Sequence, residues 1–219
     1  MAIDVFISVG RTFSKNHEEF VSALEDLLRA NGLNPRAVGR SDFTHKNPLK
    51  FIDDLMKECS ATIIVAFERV RVVDGIERRG SPEQEILRNQ NITTAWNQIE
   101  AAMAYTRGHS LFVLVENGCR SEGLLESGYD WYVQHVDLSR ETLTTKAFIG
   151  SFTNWKNEVL EKEKSKSELK KKPVDGVDKM TIGQLFSSLQ LSHLLTLIGL
   201  VVAYTALLIT LITRVLLNH

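Results

Sequence analysis

The chain has 219 residues, and its 26 Lys and Arg against 27 Asp and Glu give a formal net charge of −1. This balance gives no electrostatic case for nucleic-acid binding, which requires a cationic surface facing the phosphates. The two cysteines and six histidines form no pair at metal-ligand spacing, so no metal site is predicted and a reducing cytosol fits. Without the apolar C-terminal tail, about 160 residues remain, enough for one domain with a buried core.

The first third of the chain alternates short apolar runs with helical patterns. Asp4–Val9 is apolar and β-branched and is followed by Gly10, which is typical of a buried strand and a turn. Pro48 suits the first turn of a helix because it has no N–H to donate. In chain order the patterns predict a strand at 4–9, a helix at 16–30, a strand at 33–38, a helix from Pro48 and a strand at 61–67.

The rest of the globular part continues this alternation after one irregular stretch. Residues 68–90 are charged and poorly patterned, and we interpret them as a long surface loop. Beyond them the patterns predict a helix at 94–107, strands at 111–115 and 132–136, and a last helix from 146 to about 164.

Strands that are apolar throughout and alternate with helices predict a parallel sheet covered on both faces. Five such strands predict an α/β, flavodoxin-like, doubly wound domain. In these sheets, ligands bind beyond the carboxyl ends of the strands. That rule selects four loops as candidate site segments: 8–11, 39–44, 67–71 and 116–120.

The C-terminal part predicts a membrane anchor. Residues 161–172 carry six lysines and three glutamates and are expected to continue the last helix, then to fray into a linker. Residues 180–191 have the apolar pairs of a short interfacial helix. Residues 192–217 are uncharged until Arg214, and roughly 20 apolar residues suffice to cross a bilayer. We therefore expect a domain at 1–164, a linker with an interfacial helix at 165–191 and a transmembrane helix at 192–217.

This predicted span carries a stripe of small residues at alternating steps of three and four: Thr196, Gly199, Ala203, Ala206, Thr210 and Thr213. Such a stripe favours close helix packing in lipid, so the chain is expected to form a homo-oligomer. The lysines precede the span and only Arg214 lies at its far end, which places the N-terminal domain in the cytoplasm by the positive-inside rule. The expected partners are the lipid bilayer and further copies of the chain.

Three segments resemble those of a known family. The opening strand Asp4–Val9 resembles its first box, and Trp96 with Glu100 resembles its W-x-x-x-E segment on the helix after the third strand. Phe152 and Trp155 in the last helix resemble, more loosely, the aromatic third box of the same family. Over about residues 3–160 the chain resembles the Toll/interleukin-1 receptor (TIR) domain family, including bacterial members with a membrane anchor.

The resemblance implies an activity. Bacterial relatives of this kind commonly act in anti-phage defence. The resemblance implies that an infection signal drives assembly of this chain, expected at the bacterial inner membrane, and activates it to cleave the N-glycosidic bond of NAD or a related nucleotide. Glu100 would be the catalytic carboxylate, NAD the substrate, and no cofactor is expected. A carboxylate in a cleft can stabilise the oxocarbenium character that develops when this bond breaks. The alternative for Glu100 is an exposed helix glutamate.

The substrate-binding candidates lie at the carboxyl ends of the strands and on the helix that carries Glu100. Trp96 is a candidate to stack on a base, and Arg11 and Arg40 are candidates to pair with a pyrophosphate. Packing is the alternative for the tryptophan, and solvation is the alternative for the arginines. The full candidate set is Ser8, Gly10, Arg11, Arg40, Phe43 and Trp96.

One segment departs from the family pattern. The second box of the family, a loop with proline and glycine after the second strand, is not recognisable in residues 38–47. In enzymatic members this loop helps build the site between subunits. The chain also resembles, more weakly, the nucleoside deoxyribosyltransferases, which place a glutamate near this helix.

A second function therefore stays open. It is a non-enzymatic TIR-like effector that binds a nucleotide signal or an upstream sensor protein and disrupts the membrane through its assembled transmembrane helices.

Overall fold

The computed structural model describes residues 2–45, 47–171 and 204–205. Within this part the elements follow in chain order as β1 (Ile3–Val9), α1 (Lys15–Ala30), β2 (Leu33–Arg36), α2 (Pro48–Glu58), β3 (Ala61–Ala66), β4 (Val70–Glu77), β5 (Glu85–Ile92), α3 (Ala95–Thr106), β6 (Ser110–Glu116), β7 (Tyr132–Val136) and α4 (Lys146–Lys171).

Five of the strands form one parallel sheet in the order β2-β1-β3-β6-β7. Numbered along the chain among themselves, these strands have the order 2-1-3-4-5, which is the order of flavodoxin-like doubly wound sheets. The predicted α/β class with a parallel sheet is confirmed. The two central strands β3 and β6 are buried almost throughout, because helices cover both faces of the sheet.

The two faces of the sheet have separate hydrophobic cores. On one face, α1 and α4 pack their Phe20 and Trp155 side chains against the side of β1 that carries Val5 and Ile7. On the other face, α2 and α3 cover Phe6 and the opposite sides of β3 and β6. Successive side chains of a strand point to opposite faces, so Ser8 lies on the same face as Phe6, towards α3.

Three helices begin at side-chain caps near the carboxyl edge of the sheet. The Oγ of Ser14 accepts from the backbone N–H of His17 at the start of α1, and Asn47 caps α2 just before Pro48. Thr94 caps α3 by accepting from the backbone N–H of Trp96. Each cap satisfies an N–H group that has no partner within its helix, and together the caps fix where the helices start around this edge.

The interpretation of residues 68–90 as a loop is wrong. These residues form an antiparallel hairpin of β4 and β5, which pair with each other and lie outside the five-stranded sheet. Large apolar side chains of the hairpin are exposed, so the two-residue alternation of a half-buried strand is blurred in the sequence. The guanidinium of Arg120 ties the hairpin to the domain, with hydrogen bonds of 2.7 and 2.8 Å to Glu77.

The core face that the sequence suggests for α3 is wrong in part. Ile99, Ala102 and Met103 are expected to face the core, yet Ile99 is 42% exposed and Ala102 is exposed. Met103 is half-buried and packs against the core, as expected. The buried residues of the helix are Asn97, Glu100, Ala101 and Ala104. Apolar residues lie around most of this helix, so periodicity does not fix which side faces the sheet.

The last helix α4 runs through the charged stretch to Lys171, as expected, and the first compact unit of the chain is Met1–Lys166. The predicted interfacial helix at 180–191 lies outside the described residues. So does the predicted transmembrane helix at 192–217, apart from Tyr204 and Thr205. Among the described residues, no helix combines the length and apolar character needed to cross a bilayer.

Candidate active site

A cavity of about 380 Å³ opens at the carboxyl edge of the sheet, between the ends of β1 and β3 and the first turns of α2 and α3. This is the edge at which doubly wound sheets bind ligands. Two of the four loops selected from the sequence, 8–11 and 67–71, contribute to its wall. Phe67 and Ile52 supply apolar surface, and Glu100 and Asn97 supply polar groups from α3.

Glu100 is buried in this cavity, with 8% of its surface exposed. Burial raises the pKa of its carboxyl from 4.5 to about 7, and the Ser8 hydroxyl partly opposes this by hydrogen bonding to the carboxylate. No cation contributes to the shift. Ionising a carboxyl that is held in a cavity without a counter-charge costs free energy. A positive charge on a ligand would favour its ionised form.

Ser8 and Asn97 lie beside Glu100 and are each only 1% exposed. The Nδ2 of Asn97 donates to the Oγ of Ser8 at 3.1 Å and to the carbonyl oxygen of Val65 at 3.4 Å. The Oδ1 of Asn97 is buried and has no partner among the described residues. Buried polar groups are normally paired, so this oxygen, on a residue that lines the cavity, is available to accept a hydrogen bond from a ligand or a water molecule.

Trp96 lies at the rim of the same cavity and is 44% exposed. It stands in the first turn of α3, directly after the Thr94 cap, and its backbone N–H is held by the Thr94 Oγ1 at 3.3 Å. The packing alternative does not describe it, because a packed tryptophan would be buried. An exposed indole beside a cavity is available to stack on a flat ring.

Two arginines line the cavity, Arg11 after β1 and Arg69 after β3. Both are exposed, and in the described part of the chain neither guanidinium has a hydrogen bond or an ion pair. The Arg69 backbone N–H donates to the Ile92 carbonyl at 2.9 Å, which fixes the chain at the base of the hairpin. Unpaired guanidinium groups at a cavity are suited to bind phosphate oxygens.

The remaining sequence candidates are placed differently. The guanidinium of Arg40 forms ion pairs with Glu25 at 2.6 Å and with Glu18 at 2.9 Å. Arg40 lines an adjoining groove that also includes Gly10 and Arg11. Phe43 is 74% exposed and does not line the cavity. Gly10 does line it, and a Cβ there would meet Phe67 at an ordinary 3.5 Å, so this position has room for alanine.

On the other face of the sheet, a second cavity of about 390 Å³ is lined by polar side chains that include His17 and Glu116. The His17 ring stacks on Phe67 with 4.3 Å between the ring centroids. Phe67 also lines the cavity of Glu100, so its ring is in contact with a wall residue of the second cavity as well. In residues 2–45 and 47–171, no group of three His, Cys, Asp or Glu side chains is placed to hold a metal ion.

Sequence reasoning missed Asn97 and Arg69. Asn97 precedes Glu100 by three residues, and that spacing puts two side chains on one face of a helix, so the glutamate could have pointed to it. Arg69 lies in a loop that the strand-end rule selected, but it is one of several arginines in a charged stretch. Its position at the cavity depends on the hairpin that begins beside it.

Comparison with solved structures finds matches of low structural similarity. The chain is similar to the metal-soaked Flv1 flavodiiron core from Synechocystis sp. PCC6803, with 11% identity and a TM-score of 0.42 over 73% of this chain and 36% of that one. It therefore spans about a third of the length of that protein. It is also similar to the CMP N-glycosidase BcmB of Clostridium botulinum, with 15% identity and a TM-score of 0.36 over 67% of this chain and 98% of that one. No protein-family model and no curated protein matches the chain.

Proposed function

We propose that this protein is a TIR-like enzyme that cleaves the N-glycosidic bond of NAD or a related nucleotide, with Glu100 as the catalytic carboxylate. The observation that carries the proposal is the position of Glu100: it is buried, lines a cavity at the ligand-binding edge of the sheet and has no cationic partner in the part of the chain that the structure describes. Its 8% exposure excludes the alternative of an exposed helix glutamate.

The chemistry requires a negative charge close to C1′ of the ribose. When the C1′–N bond of NAD breaks, both bonding electrons stay on the nicotinamide nitrogen, and the base leaves as a neutral molecule. The ribose then carries positive charge, which an ionised Glu100 stabilises or captures by bonding to C1′. A water molecule adds to C1′ and loses a proton, so the products are nicotinamide, ADP-ribose and one proton. No cofactor is required.

The rim of the cavity supports a nucleotide as the substrate class. Within the described residues Arg11 and Arg69 are two unpaired cations beside the cavity, and a phosphate or pyrophosphate would neutralise both. The exposed ring of Trp96 offers a stacking surface for the base. An uncharged nucleoside would leave the two guanidinium groups without partners.

The direct test is to incubate the full-length protein with NAD at high protein concentration, which favours assembly, and to follow nicotinamide release by chromatography. Release by the wild type and its loss in the Glu100→Gln variant support the proposal. Release that is the same in both proteins contradicts it, and so does the absence of release under every condition of assembly.

We further propose that the chain works at the inner membrane of a bacterium, in anti-phage defence, with residues 192–217 as anchor and oligomer contact. This part of the proposal rests on the sequence alone. It is tested by fractionating cells that express the full chain or a chain ending at residue 191. Loss of the membrane-bound fraction in the shorter chain supports the anchor, and its retention contradicts it.

A further inference from the structure

The hairpin of β4 and β5 has two different faces. Residues that lie directly opposite each other in an antiparallel pair share a face. One face carries Glu77, which holds the hairpin to the domain through its hydrogen bonds with Arg120. The other, which we call the outer face, carries three cross-strand pairs: Val70 with Ile92, Asp74 with Arg88, and Ile76 with Ile86. Of these six residues only Ile92 is not exposed.

The outer face is apolar towards both ends of the hairpin and charged in the middle. Ile76 and Ile86 are 54% and 66% exposed. Asp74 and Arg88 lie opposite each other, but within residues 2–45 and 47–171 neither side chain has a hydrogen bond or an ion pair. A contiguous exposed apolar patch marks an interaction surface, and a two-stranded hairpin with an uncovered apolar face is only marginally stable in water. The outer face therefore suits a partner with apolar surface at its ends and opposite charges in the middle.

A second copy of the same face has this pattern. A two-fold axis that runs along the hairpin, between two stacked outer faces, places β4 of one copy over β5 of the other. Each residue of β4 then lies over the residue type that pairs with it across the strands in its own chain. Asp74 faces Arg88 of the second copy and Ile76 faces Ile86 of the second copy, each twice because of the symmetry. Stacked sheets pack about 10 Å apart, so these side chains meet between the faces. The outer face is therefore complementary to itself in both charge and polarity.

We propose that the outer face of the hairpin is a homodimer contact, in which two copies of the chain stack their hairpins around a two-fold axis. Arg69, which lines the cavity of Glu100, directly precedes β4, so this contact lies close along the chain to one wall of the cavity. The complementarity of the outer face is independent of what the cavity binds, and the contact therefore stands apart from the proposed chemistry.

The test is crosslinking by a short bismaleimide between two differently tagged full-length copies, one with Ile76→Cys and the other with Ile86→Cys. We expect a crosslinked heterodimer, because these two positions of different copies face each other across the contact. The native cysteines Cys59 and Cys119 are buried and are expected to react little with the reagent.

The matched control is a pair of cysteines on the opposite face of the same hairpin, Val73→Cys in one copy and Glu85→Cys in the other. Both positions are exposed. Glu85 lies opposite Glu77, and Val73 is next to Asp74 on its strand, so alternation turns both away from the outer face. Most of the crosslinked product should be lost in this pair.

Charge reversal tests the two-fold arrangement with the Ile76→Cys and Ile86→Cys pair as the reporter. Asp74→Arg in both copies sets two arginines against each other at both charged contacts, so the yield should fall by about 10-fold or more. Asp74→Arg in one copy and Arg88→Asp in the other restores opposite charges at both contacts between the copies and should restore the yield. Within each of these chains the cross-strand pair still has like charges, so mixing would not rescue a misfolded hairpin.

Equal crosslinking on the two faces of the hairpin overturns the proposal, as does a yield that Asp74→Arg leaves unchanged or that the mixture does not regain. If another protein or the C-terminal residues of the chain cover the outer face, the crosslinked heterodimer does not form, which also overturns it. Crosslinking needs no substrate, so its outcome is separable from that of the nicotinamide-release experiment.

Discussion

Trp96 and Glu100 lie one helical turn apart on α3, yet the tryptophan is 44% exposed at the cavity rim and the carboxyl is 8% exposed within the cavity. The W-x-x-x-E spacing therefore places an aromatic surface and a carboxylate at two depths of one site. This arrangement suits a ligand whose flat ring stays near the rim while its sugar reaches the carboxylate. Because Trp96 and Glu100 would contact different parts of such a ligand, their contributions can be tested by separate substitutions.

The first prediction concerns the carboxylate itself. Glu100→Gln preserves size but removes the negative charge, so turnover of NAD should fall by at least ~10²-fold, the scale for loss of one preorganised electrostatic group. The measurement is the initial rate of nicotinamide release. Glu19→Gln serves as the control, because Glu19 is exposed on α1 and pairs only with Lys15 among the described residues.

The same variant separates the two candidate functions in cells. If the protein is a non-enzymatic effector, toxicity or membrane permeabilisation should survive Glu100→Gln and disappear when residues 192–217 are deleted. If it is an enzyme, NAD loss should disappear in Glu100→Gln. Measuring NAD and membrane potential side by side gives opposite results for the two functions.

The second prediction is the direction of the pH dependence of turnover. Burial raises the pKa of Glu100 to about 7, so its ionised fraction grows as the pH rises through that value. If the carboxylate opposes positive charge on the ribose, kcat/KM, which reports the ionisation of the free protein, should rise from pH 6 to pH 8 and then level off. If kcat/KM falls over this range, the protonated carboxyl donates to the leaving base. That result would favour a substrate whose base is uncharged and needs a proton to leave.

The third prediction links the same group to stability. The pKa of Glu100 is about 7 in the folded protein and near 4.5 when the chain unfolds, so the folded state binds its proton more tightly. The contribution of this bound proton to the free energy of unfolding is fully present below pH 4.5 and is lost as the pH rises through 7. Over these 2.5 units the loss approaches about 3 kcal/mol at 1.36 kcal/mol per unit. Glu100→Gln should therefore unfold at a similar temperature to wild type at pH 4.5 and several degrees higher at pH 8.

Calorimetry of both proteins across this range gives the comparison. Taking the difference between them cancels the contributions of other buried groups, such as His109, whose pKa is lowered to about 4 chiefly by burial. A difference in melting temperature that stays constant with pH would mean that Glu100 does not titrate as a buried carboxyl.

The sequence was sufficient to predict the parallel sheet, because β3 and β6 are continuous apolar runs bounded by helices and polar turns. It did not predict the hairpin, whose exposed Val73 and Ile86 obscure the two-residue period of its strands. For this reason the position of Arg69, at the start of the hairpin, could not be foreseen from spacing.

The candidate site was predicted only in part. Glu100 was named because of its spacing from Trp96, but its burial depends on the rotation of α3, which the apolar residues around the helix left open. Ser8, expected to bind substrate, does not line the cavity, and its position was open for a similar reason. Its place at the end of β1 was evident, whereas the strand alternation that turns it under α3, towards Asn97, becomes informative only when the sheet and helix are assembled.

The last prediction tests the substrate class through Arg69. If this guanidinium binds a phosphate, Arg69→Ala should raise the KM for nicotinamide mononucleotide by about 10-fold or more, the effect of one lost hydrogen bond to a charged group. The KM for nicotinamide riboside, which has the same scissile bond but no phosphate, should stay unchanged. Arg88→Ala is the matched control, since Arg88 is an exposed arginine of β5 that does not line the cavity. Arg11→Ala should behave like Arg69→Ala if both cations contact the same anion. An equal loss for the two substrates in Arg69→Ala would assign the residue to the fold of the hairpin base, where its backbone already bonds Ile92.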